Sequence, residues 1–201
     1  MRTTVVFDLG GVLVDWDPRH LYRKLFPGDD AGMERFLAEV CTNAWNLEQD
    51  RGRSWAEAVA LLQAEHPGQA ALIAAYRNRW PEMMAGPIAG TVDILRALRD
   101  RGTPLYALTN WSAETFPHAV ERFDFLGWFR GIVVSGQEGM VKPDPAIYRL
   151  LVERHGLVPA EIVYIDDNPR NARAATELGM HGIHFTGPDA LRTALEALRL
   201  L

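Results

Sequence analysis

The sequence predicts an α/β fold with a mostly parallel sheet, helices on both faces of that sheet, and one small helical insert. From about residue 88 onward, strand patterns and helix patterns alternate, which is typical of parallel strands joined by helical crossovers. Between residues 18 and 87 the alternation stops, because helical patterns follow one another there without a convincing strand. We therefore predict a Rossmann-like core formed by residues 1–15 and 88–201, with residues 16–87 as an inserted helical domain.

The predicted core elements follow from apolar runs and from helix-capping residues. β-rich runs predict five strands, which are Thr4–Phe7, Pro104–Leu108, Ile132–Ser135, Ile162–Ile165 and Gly182–Phe185. The patterns between them predict helices from Thr91 to Arg99, Ala113 to Phe123, Asp144 to Gly156, Asn168 to Gly179, and from about Asp189 onward. Asp144 followed by Pro145 is typical of a helix start, and Gly156 is typical of a helix end.

The insert shows three helical patterns. One apolar face has the spacing i, i+3, i+4, i+7 and consists of Met33, Phe36, Leu37 and Val40. A capping box from Ser54 to Glu57 begins a second helix. A third helix is indicated by the residues Leu72, Ile73, Tyr76 and Trp80. The predicted crossings between core and insert are Asp15–Pro18 and Ala85–Pro87, where prolines mark places for hinges.

Composition and charge narrow the range of functions. The 201-residue chain has a net charge of −5, which argues against a nucleic-acid surface. Its single cysteine, Cys41, excludes an internal disulfide and fits a reducing cytoplasm. The sequence has no uncharged apolar stretch of about 18 residues and no signal-peptide pattern. We therefore expect a cytoplasmic protein without a membrane span.

Polar residues follow three of the predicted strands at the point where each strand ends. A lysine lies in a loop that precedes the last of these three strands. In chain order these groups are Asp8, Thr109-Asn110, Lys142 and Asp166-Asp167. Ligands of open α/β sheets bind beyond the carboxyl ends of the strands, so the groups are expected to meet there. The glycines Gly10 and Gly11 would allow the backbone near Asp8 to approach a ligand closely.

This order of motifs resembles the haloacid dehalogenase-like hydrolase superfamily, whose four motifs are matched by Asp8, Thr109, Lys142 and Asp166-Asp167. The likeness covers almost the whole chain, since the insert has the length and helical pattern of the family's C1 cap. The sequence Asp-Leu-Gly-Gly-Val that begins at Asp8 is most similar to the sugar-phosphatase branch, which includes bacterial α-glucose-1-phosphate phosphatases. The resemblance implies a hydrolase with an α/β core and a helical cap.

Phosphoryl transfer depends on positioning and charge neutralisation. Asp8 is the candidate nucleophile, forming an aspartyl-phosphate that water then hydrolyses. Mg²⁺ prefers oxygen ligands, which Asp8, the Gly10 carbonyl and Asp167 could supply. The resemblance implies that Asp167 is a direct metal ligand and that Asp166 holds a metal-bound water. The alternative for the acidic pair is charge at a helix N-terminus, which explains one acidic residue better than two.

Two further motif residues would neutralise and bind the phosphoryl group. Lys142 would pair with Asp8 and the phosphoryl oxygens. Thr109 would donate its hydroxyl to a phosphoryl oxygen, aided by the backbone N–H of Asn110. The competing interpretations are a solvated loop lysine for Lys142 and a strand-end threonine bonded to its own turn for Thr109.

Substrate contacts are expected from the insert. We predict a polar loop between two helices, before Gly52, from which side chains could reach the active site; it consists of Trp45, Glu48, Gln49, Asp50 and Arg51. Trp16 lies near the first motif and is a further candidate. A solvated turn explains Trp45 and Arg51 equally well, and large aromatic residues are more often packing residues.

Gly10 departs from the pattern of many phosphatases of this superfamily, which carry an aspartate there as general acid and base. One interpretation is a phosphatase for good leaving groups, such as anomeric sugar phosphates, with Asp15, Asp17 or His20 as a substitute acid. A second is a 2-haloacid dehalogenase, in which Asp8 attacks carbon and halide leaves without a proton. A third is a non-catalytic binding protein with the same fold.

The acidic pair weighs against the dehalogenase, which needs no metal, and the intact motif residues weigh against a binding protein. We therefore predict an Mg²⁺-dependent phosphatase of small phosphorylated metabolites, in particular a sugar phosphate. The expected partner is a small phosphate ester, with no nucleic acid and no membrane.

Overall fold

A computed structural model describes residues 3–201, and a parallel sheet lies at its centre. The strands of these residues are β1 (Thr4–Phe7), β2 (Val14–Trp16), β3 (Met84–Pro87), β4 (Leu105–Thr109), β5 (Gly131–Val134), β6 (Ile162–Asp166) and β7 (His181–His184). Five of them form one sheet in the order β5-β4-β1-β6-β7, and every neighbouring pair in it is parallel. The predicted mostly parallel α/β core is confirmed.

Helices occupy most of the remaining chain. In order they are α1 (Arg19–Leu25), α2 (Asp30–Glu39), α3 (Asn43–Asp50), α4 (Trp55–Glu65), α5 (Ala70–Asn78), α6 (Ala89–Asp100), α7 (Phe116–Arg122), α8 (Ser135–Glu138), α9 (Pro145–His155), α10 (Pro169–Glu177) and α11 (Pro188–Ala197). The predicted cap of α9 is present, because the Asp144 side chain accepts a hydrogen bond from Ala146 N. Gly156 ends that helix in the left-handed conformation.

Residues along each central strand alternate between two apolar clusters. In β1, Val5 and Phe7 belong to one cluster, whereas Val6 belongs to the other. Helices α9 and α10 supply the second cluster, and α6 and α11 supply the first. Because successive strand side chains point to opposite faces, the two clusters lie on opposite faces of the sheet. The helices on both faces therefore match the prediction.

The insert contains five helices, α1–α5, rather than the three that the sequence indicates. The apolar face predicted from Met33 to Val40 is buried, and Ser54 accepts a hydrogen bond from Glu57 N as the capping box requires. The prediction of a loop around Trp45 and Arg51 is wrong for most of this segment, because residues 43–50 form helix α3. Thr42 caps this helix by accepting from Trp45 N at 3.0 Å.

The two predicted crossings run side by side and pair with each other. β2 and β3 form an antiparallel two-stranded ribbon in which Asp15 lies opposite Gly86, with an irregularity between Asp15 and Trp16. The expectation of no strand up to residue 87 is therefore wrong at β3. The sequence of β3 carries no β-branched residue, and its extended conformation depends on pairing with β2, which is distant in the chain. The division into core and insert stays a prediction.

Smaller differences occur at helix starts. Helix α6 begins at Ala89, so Thr91 is a buried residue of its first turn and not the predicted cap. Helix α7 begins at Phe116 instead of Ala113, because Ser112 and the residues after it form turns. Within residues 3–201, no helix combines the length and hydropathy that crossing a membrane requires.

Candidate active site

Asp8 follows β1 directly and lines a cavity at the carboxyl end of the sheet. Its carboxylate accepts a hydrogen bond from Leu9 N at 2.7 Å, which fixes the side chain against its own turn. Gly11 has a φ of +72°, and a Cβ at that position would overlap the Asp167 carboxylate. Glycine therefore lets the turn after Asp8 pass close to the second carboxylate.

Lys142 is buried between two carboxylates. Its Nζ atom lies 2.8 Å from Asp8 Oδ2 and 2.8 Å from Asp166 Oδ2, and it donates to the Leu108 carbonyl at 3.0 Å. Its side chain is 1% exposed, so the interpretation as a solvated loop lysine is wrong. Asn110 holds the lysine backbone from both sides, donating to Lys142 O and accepting from Lys142 N. The ammonium is therefore fixed beside Asp8.

Asp166 is fully buried, and both of its carboxylate oxygens are occupied. Lys142 and the Tyr164 hydroxyl donate to Oδ2, at 2.8 and 2.7 Å. The backbone N–H of Asn168 and the side chain of Asn171 donate to Oδ1, at 2.9 and 3.0 Å. Four donors satisfy this carboxylate, which makes it an anchor for Lys142 and for the start of α10.

Carboxylate oxygens of Asp8, Asp166 and Asp167 lie within 4.8 Å of one another. Burial, together with the charges of Asp166 and Asp167, raises the pKa of Asp8 to about 8 despite the attraction of Lys142. Burial and the charge of Asp166 also raise the pKa of Asp167 above its ordinary value. Burial opposes ionisation of Asp166, but Lys142 and the other donors outweigh it and lower its pKa. One lysine faces three carboxylates, so the cluster fits a divalent cation with oxygen ligands.

The cavity at this cluster has a volume of about 550 Å³, and many polar side chains stand beside apolar surface in its lining. Its amide side chains are Asn43, Asn46, Asn110, Asn168 and Asn171, and its charged side chains are Asp8, Asp50, Lys142, Asp167 and Arg170. Gly10 and Trp16 also line it, as the sequence predicts. The cavity thus combines residues from the ends of the core strands with residues from the insert.

Several predicted site residues lie away from the cavity lining. Thr109 is 1% exposed at the end of β4 and pairs with Val134 in the sheet. Trp45 packs edge-on against Trp55, with ring centroids 5.6 Å apart. Arg51 follows α3 and lies 3.8 Å from Glu48 in an exposed ion pair. Of the insert residues proposed for substrate contact, Trp16 lines the cavity, whereas Trp45 and Arg51 do not.

The candidate substitute acids are also outside the cavity lining. His20 lies 3.0 Å from Asp15, and Asp17 accepts a hydrogen bond from the backbone of Arg19. These contacts place the three residues near the start of α1, where they pair with one another or with Arg19. Geometry therefore does not favour any of them as a proton donor to a ligand in the cavity.

Sequence reasoning included Asp50 in the polar stretch offered for substrate contact but missed the other cavity residues of α3. Asn43, Asn46, Leu47 and Asp50 follow the spacing i, i+3, i+4, i+7, which is one face of a helix. The face is mostly polar because it lines a cavity, so an apolar pattern could not reveal it. The signal that could have found it is the Thr42 cap followed by this polar periodicity.

Comparisons with known proteins agree with this arrangement. A family model described as haloacid dehalogenase-like hydrolase matches residues 3–179. The chain is 28% identical over 196 residues to a sesquiterpene phosphatase of Aspergillus oryzae, and the match covers 98% of this chain and 95% of that relative.

Two solved structures show the same fold. A HAD-like family hydrolase from Porphyromonas gingivalis has a TM-score of 0.73 and 23% identity, covering 99% of this chain and 98% of that one. A HAD family enzyme from Bacteroides thetaiotaomicron, solved with magnesium and inorganic phosphate, has a TM-score of 0.66 and 22% identity, with 90% and 92% covered.

Proposed function

The chain belongs to the haloacid dehalogenase-like hydrolases, and from that premise we propose an Mg²⁺-dependent phosphatase of small hydroxylated phosphate esters, such as sugar phosphates. The relative named as a phosphatase supports phosphatase activity. The observation that carries the proposal is the buried ammonium of Lys142, 2.8 Å from both Asp8 and Asp166 in a cluster of three carboxylates. Such a cluster repels a phosphate dianion unless more positive charge is present.

Asp8 is the proposed nucleophile. It would attack phosphorus and form an aspartyl-phosphate, which water then hydrolyses to regenerate the carboxylate. Lys142 would stay beside the reacting oxygen and neutralise charge there, while Asn110 fixes its position through the backbone. Thr109 is proposed to donate to a phosphoryl oxygen from the end of β4.

The residues proposed to hold Mg²⁺ are Asp8, the Gly10 carbonyl and Asp167. When bound, the ion would neutralise phosphoryl oxygens and position them for attack. Asp167 is an exposed carboxylate facing the cavity, whereas the oxygens of Asp166 already accept four hydrogen bonds. This difference supports Asp167 as the direct ligand, with Asp166 acting through a water and through Lys142.

The proposed substrate class follows from the cavity lining. Five asparagine amides and Asp50 can donate to and accept from hydroxyl groups, and Arg170 adds a cation at the same cavity. A volume of about 550 Å³ lies in the range of small-molecule sites. A terpenyl chain offers no hydrogen bond to Asn43, Asp50 or Arg170 of the lining, so we favour hydroxylated substrates over prenyl phosphates.

A panel of phosphate esters, measured with and without EDTA, tests the proposal. We expect phosphate release that EDTA abolishes and Mg²⁺ restores, with sugar phosphates hydrolysed faster than farnesyl phosphate. Chloride release from 2-chloropropionate is measured in parallel. Release of chloride that is insensitive to EDTA, without phosphate release from any ester, would show a dehalogenase instead.

A further inference from the structure

Gly10 leaves open space beside the proposed nucleophile. A Cβ built on Gly10 would meet no other atom within 4 Å. A side cavity of about 50 Å³ adjoins this glycine, and it is also lined by Trp16, Asn46, Asp50, Trp80, Asn110 and Trp111. Asp50 of α3 is the carboxylate in this group. The insert therefore brings an acidic side chain to the place where the core has none.

Asp50 is held firmly at this position. It is 7% exposed, and its Oδ2 accepts a hydrogen bond from Asn46 Nδ2 at 3.0 Å, one turn earlier in α3. Ser135 Oγ donates to the backbone carbonyl of Asp50 and accepts from Trp111 N at 2.9 Å. The end of α3 is thus fixed to the core by a buried hydroxyl. Asp50 lines the main cavity together with Asp8 and Asp167, which already have proposed roles.

The electrostatic surroundings of Asp50 suit proton transfer near neutral pH. Burial raises its pKa to about 7, although the backbone N–H of Ser112 and the charge of Lys142 lower it. A carboxyl group that ionises near the working pH can donate a proton in one step and accept one in the next.

Several residues that line the side cavity also carry buried polar atoms without a hydrogen-bond partner among residues 3–201. The indole nitrogens of Trp16, Trp80 and Trp111 are buried and have no hydrogen-bond partner among residues 3–201. Asn46 Oδ1 is a buried acceptor that also has no hydrogen-bond partner among these residues. Unpaired buried polar atoms are costly, so within residues 3–201 the protein's own groups do not fully satisfy the surroundings of Asp50.

We propose that Asp50 is the general acid and base of this enzyme, replacing from the insert the side chain that Gly10 lacks. This inference rests on the proposed phosphatase function. As Asp8 attacks phosphorus, the bond from phosphorus to the leaving oxygen breaks, and the proton of Asp50 passes to that oxygen to give the alcohol. Asp50, now a carboxylate, accepts a proton from the water that attacks the aspartyl-phosphate. Phosphate leaves, and Asp8 returns to a carboxylate.

The test measures kcat/KM for substituted phenyl phosphates of similar shape, from 2,4-dinitrophenyl to phenyl phosphate. In the wild-type enzyme we expect a shallow dependence on leaving-group pKa, because Asp50 protonates the poor leaving groups. Asp50→Asn should lose about 10²–10⁴-fold on phenyl phosphate but less than about tenfold on dinitrophenyl phosphate, which leaves without a proton. Asp15→Asn is the matched control, since Asp15 lies outside both cavities, and should change neither rate.

A second variant uses the space at Gly10. Because a Cβ there meets nothing, adding Gly10→Asp to Asp50→Asn should restore part of the phenyl phosphate rate. An equal loss on both esters in Asp50→Asn, or a steep leaving-group dependence in the wild type, overturns the inference. If the wild type hydrolyses no ester, or Asp8→Asn retains activity, the proposed function fails as well. If the wild type and Asp8→Asn behave as expected but Asp50→Asn does not, the proposed phosphatase function stands and another group supplies the proton.

Discussion

At the scale of single residues, the site depends on one lysine shared by two carboxylates. Lys142 contacts Asp8 and Asp166 at the same distance, 2.8 Å, but the two carboxylates differ in their other contacts. Asp166 accepts from three further donors, whereas Asp8 faces the cavity. Asp166 therefore stabilises the lysine, and Asp8 is the one with an oxygen available for reaction.

This difference predicts that substitutions at Asp166 and Asp167 change different properties, namely stability and Mg²⁺ binding. Asp166→Asn should lower the free energy of unfolding by about 3–5 kcal/mol, because an amide NH₂ would face donors and Lys142 would lose its buried partner. Asp167→Asn should be close to neutral for folding but weaken Mg²⁺ binding at least tenfold, by about 1.4 kcal/mol or more. Urea unfolding and calorimetric Mg²⁺ titration measure the two effects. A larger loss of Mg²⁺ affinity in Asp166→Asn would reverse the assignment of the metal ligand.

Asp50 predicts a pH-dependent gain in stability when its charge is removed. Its pKa is about 7 in the folded protein against 3.8 for an unperturbed aspartate, so the folded state binds more protons between these values. The wild type thus loses stability as pH rises toward 7, and Asp50→Asn loses less, because only the contribution of Asp50 is removed. With EDTA present, we expect Asp50→Asn to be more stable at pH 8 by on the order of 1–4 kcal/mol, with a smaller gap at pH 5. Urea unfolding showing the variant less stable at pH 8 would contradict this.

At the scale of secondary-structure elements, α3 is joined to the core through Ser135 at the start of α8. The Ser135 hydroxyl is buried, donates to the backbone carbonyl of Asp50 and accepts from the backbone N–H of Trp111. The position of Asp50 relative to Gly10 therefore depends on a contact between elements that are distant in the chain.

Ser135→Ala should break this connection. Leaving the Asp50 carbonyl and the Trp111 N–H unpaired should cost about 1–3 kcal/mol of unfolding free energy, and kcat/KM for phenyl phosphate should fall with it. Thr193→Ala, which removes an exposed hydroxyl from α11, is the control and should stay within about 0.5 kcal/mol. If urea unfolding gives equal stabilities for the two variants, Ser135 does not hold α3 in place.

The elements that the sequence predicted best are those whose own residues decide their conformation. β1 and β6 are runs of buried apolar residues, and α9 carries its cap and its terminal glycine in the sequence. The motif residues Asp8, Lys142 and Asp167 were found because they follow or adjoin such elements. The pairing of Lys142 with Asp8 was expected from the motifs, whereas the contact of Lys142 with Asp166 was not, since it forms only when distant segments pack together.

The elements that were missed depend on their surroundings. Helix α3 presents polar residues to a cavity and so lacks the apolar stripe of an ordinary surface helix. The sequence of β3 is Met-Ala-Gly-Pro, which becomes a strand because β2 lies beside it. Asp50 was part of the polar stretch offered for substrate contact, but the role proposed for it here was not predicted, because it depends on a side cavity that exists only in the folded chain.

At the scale of the whole molecule, the insert and the core share one hydrophobic cluster. Tyr22, Phe36 and Trp55 of the insert belong to the same cluster as Val5 and Leu95 of the core. The cavity lies where the two parts meet, and each contributes polar side chains to it. The core supplies the nucleophile, the lysine and the carboxylate cluster, while α3 supplies Asn46 and Asp50. We infer that catalysis requires both parts in contact.

The most direct test of the proposed chemistry is an acid-quenched single turnover with a phosphate ester and Mg²⁺. Borohydride reduction converts an aspartyl-phosphate to homoserine, and mass spectrometry then identifies the modified residue. The proposed mechanism predicts homoserine at position 8, appearing and decaying within one turnover, and none in Asp8→Asn or in EDTA. Consumption of the ester with no modified residue, or with the modification at another position, would contradict Asp8 as the nucleophile.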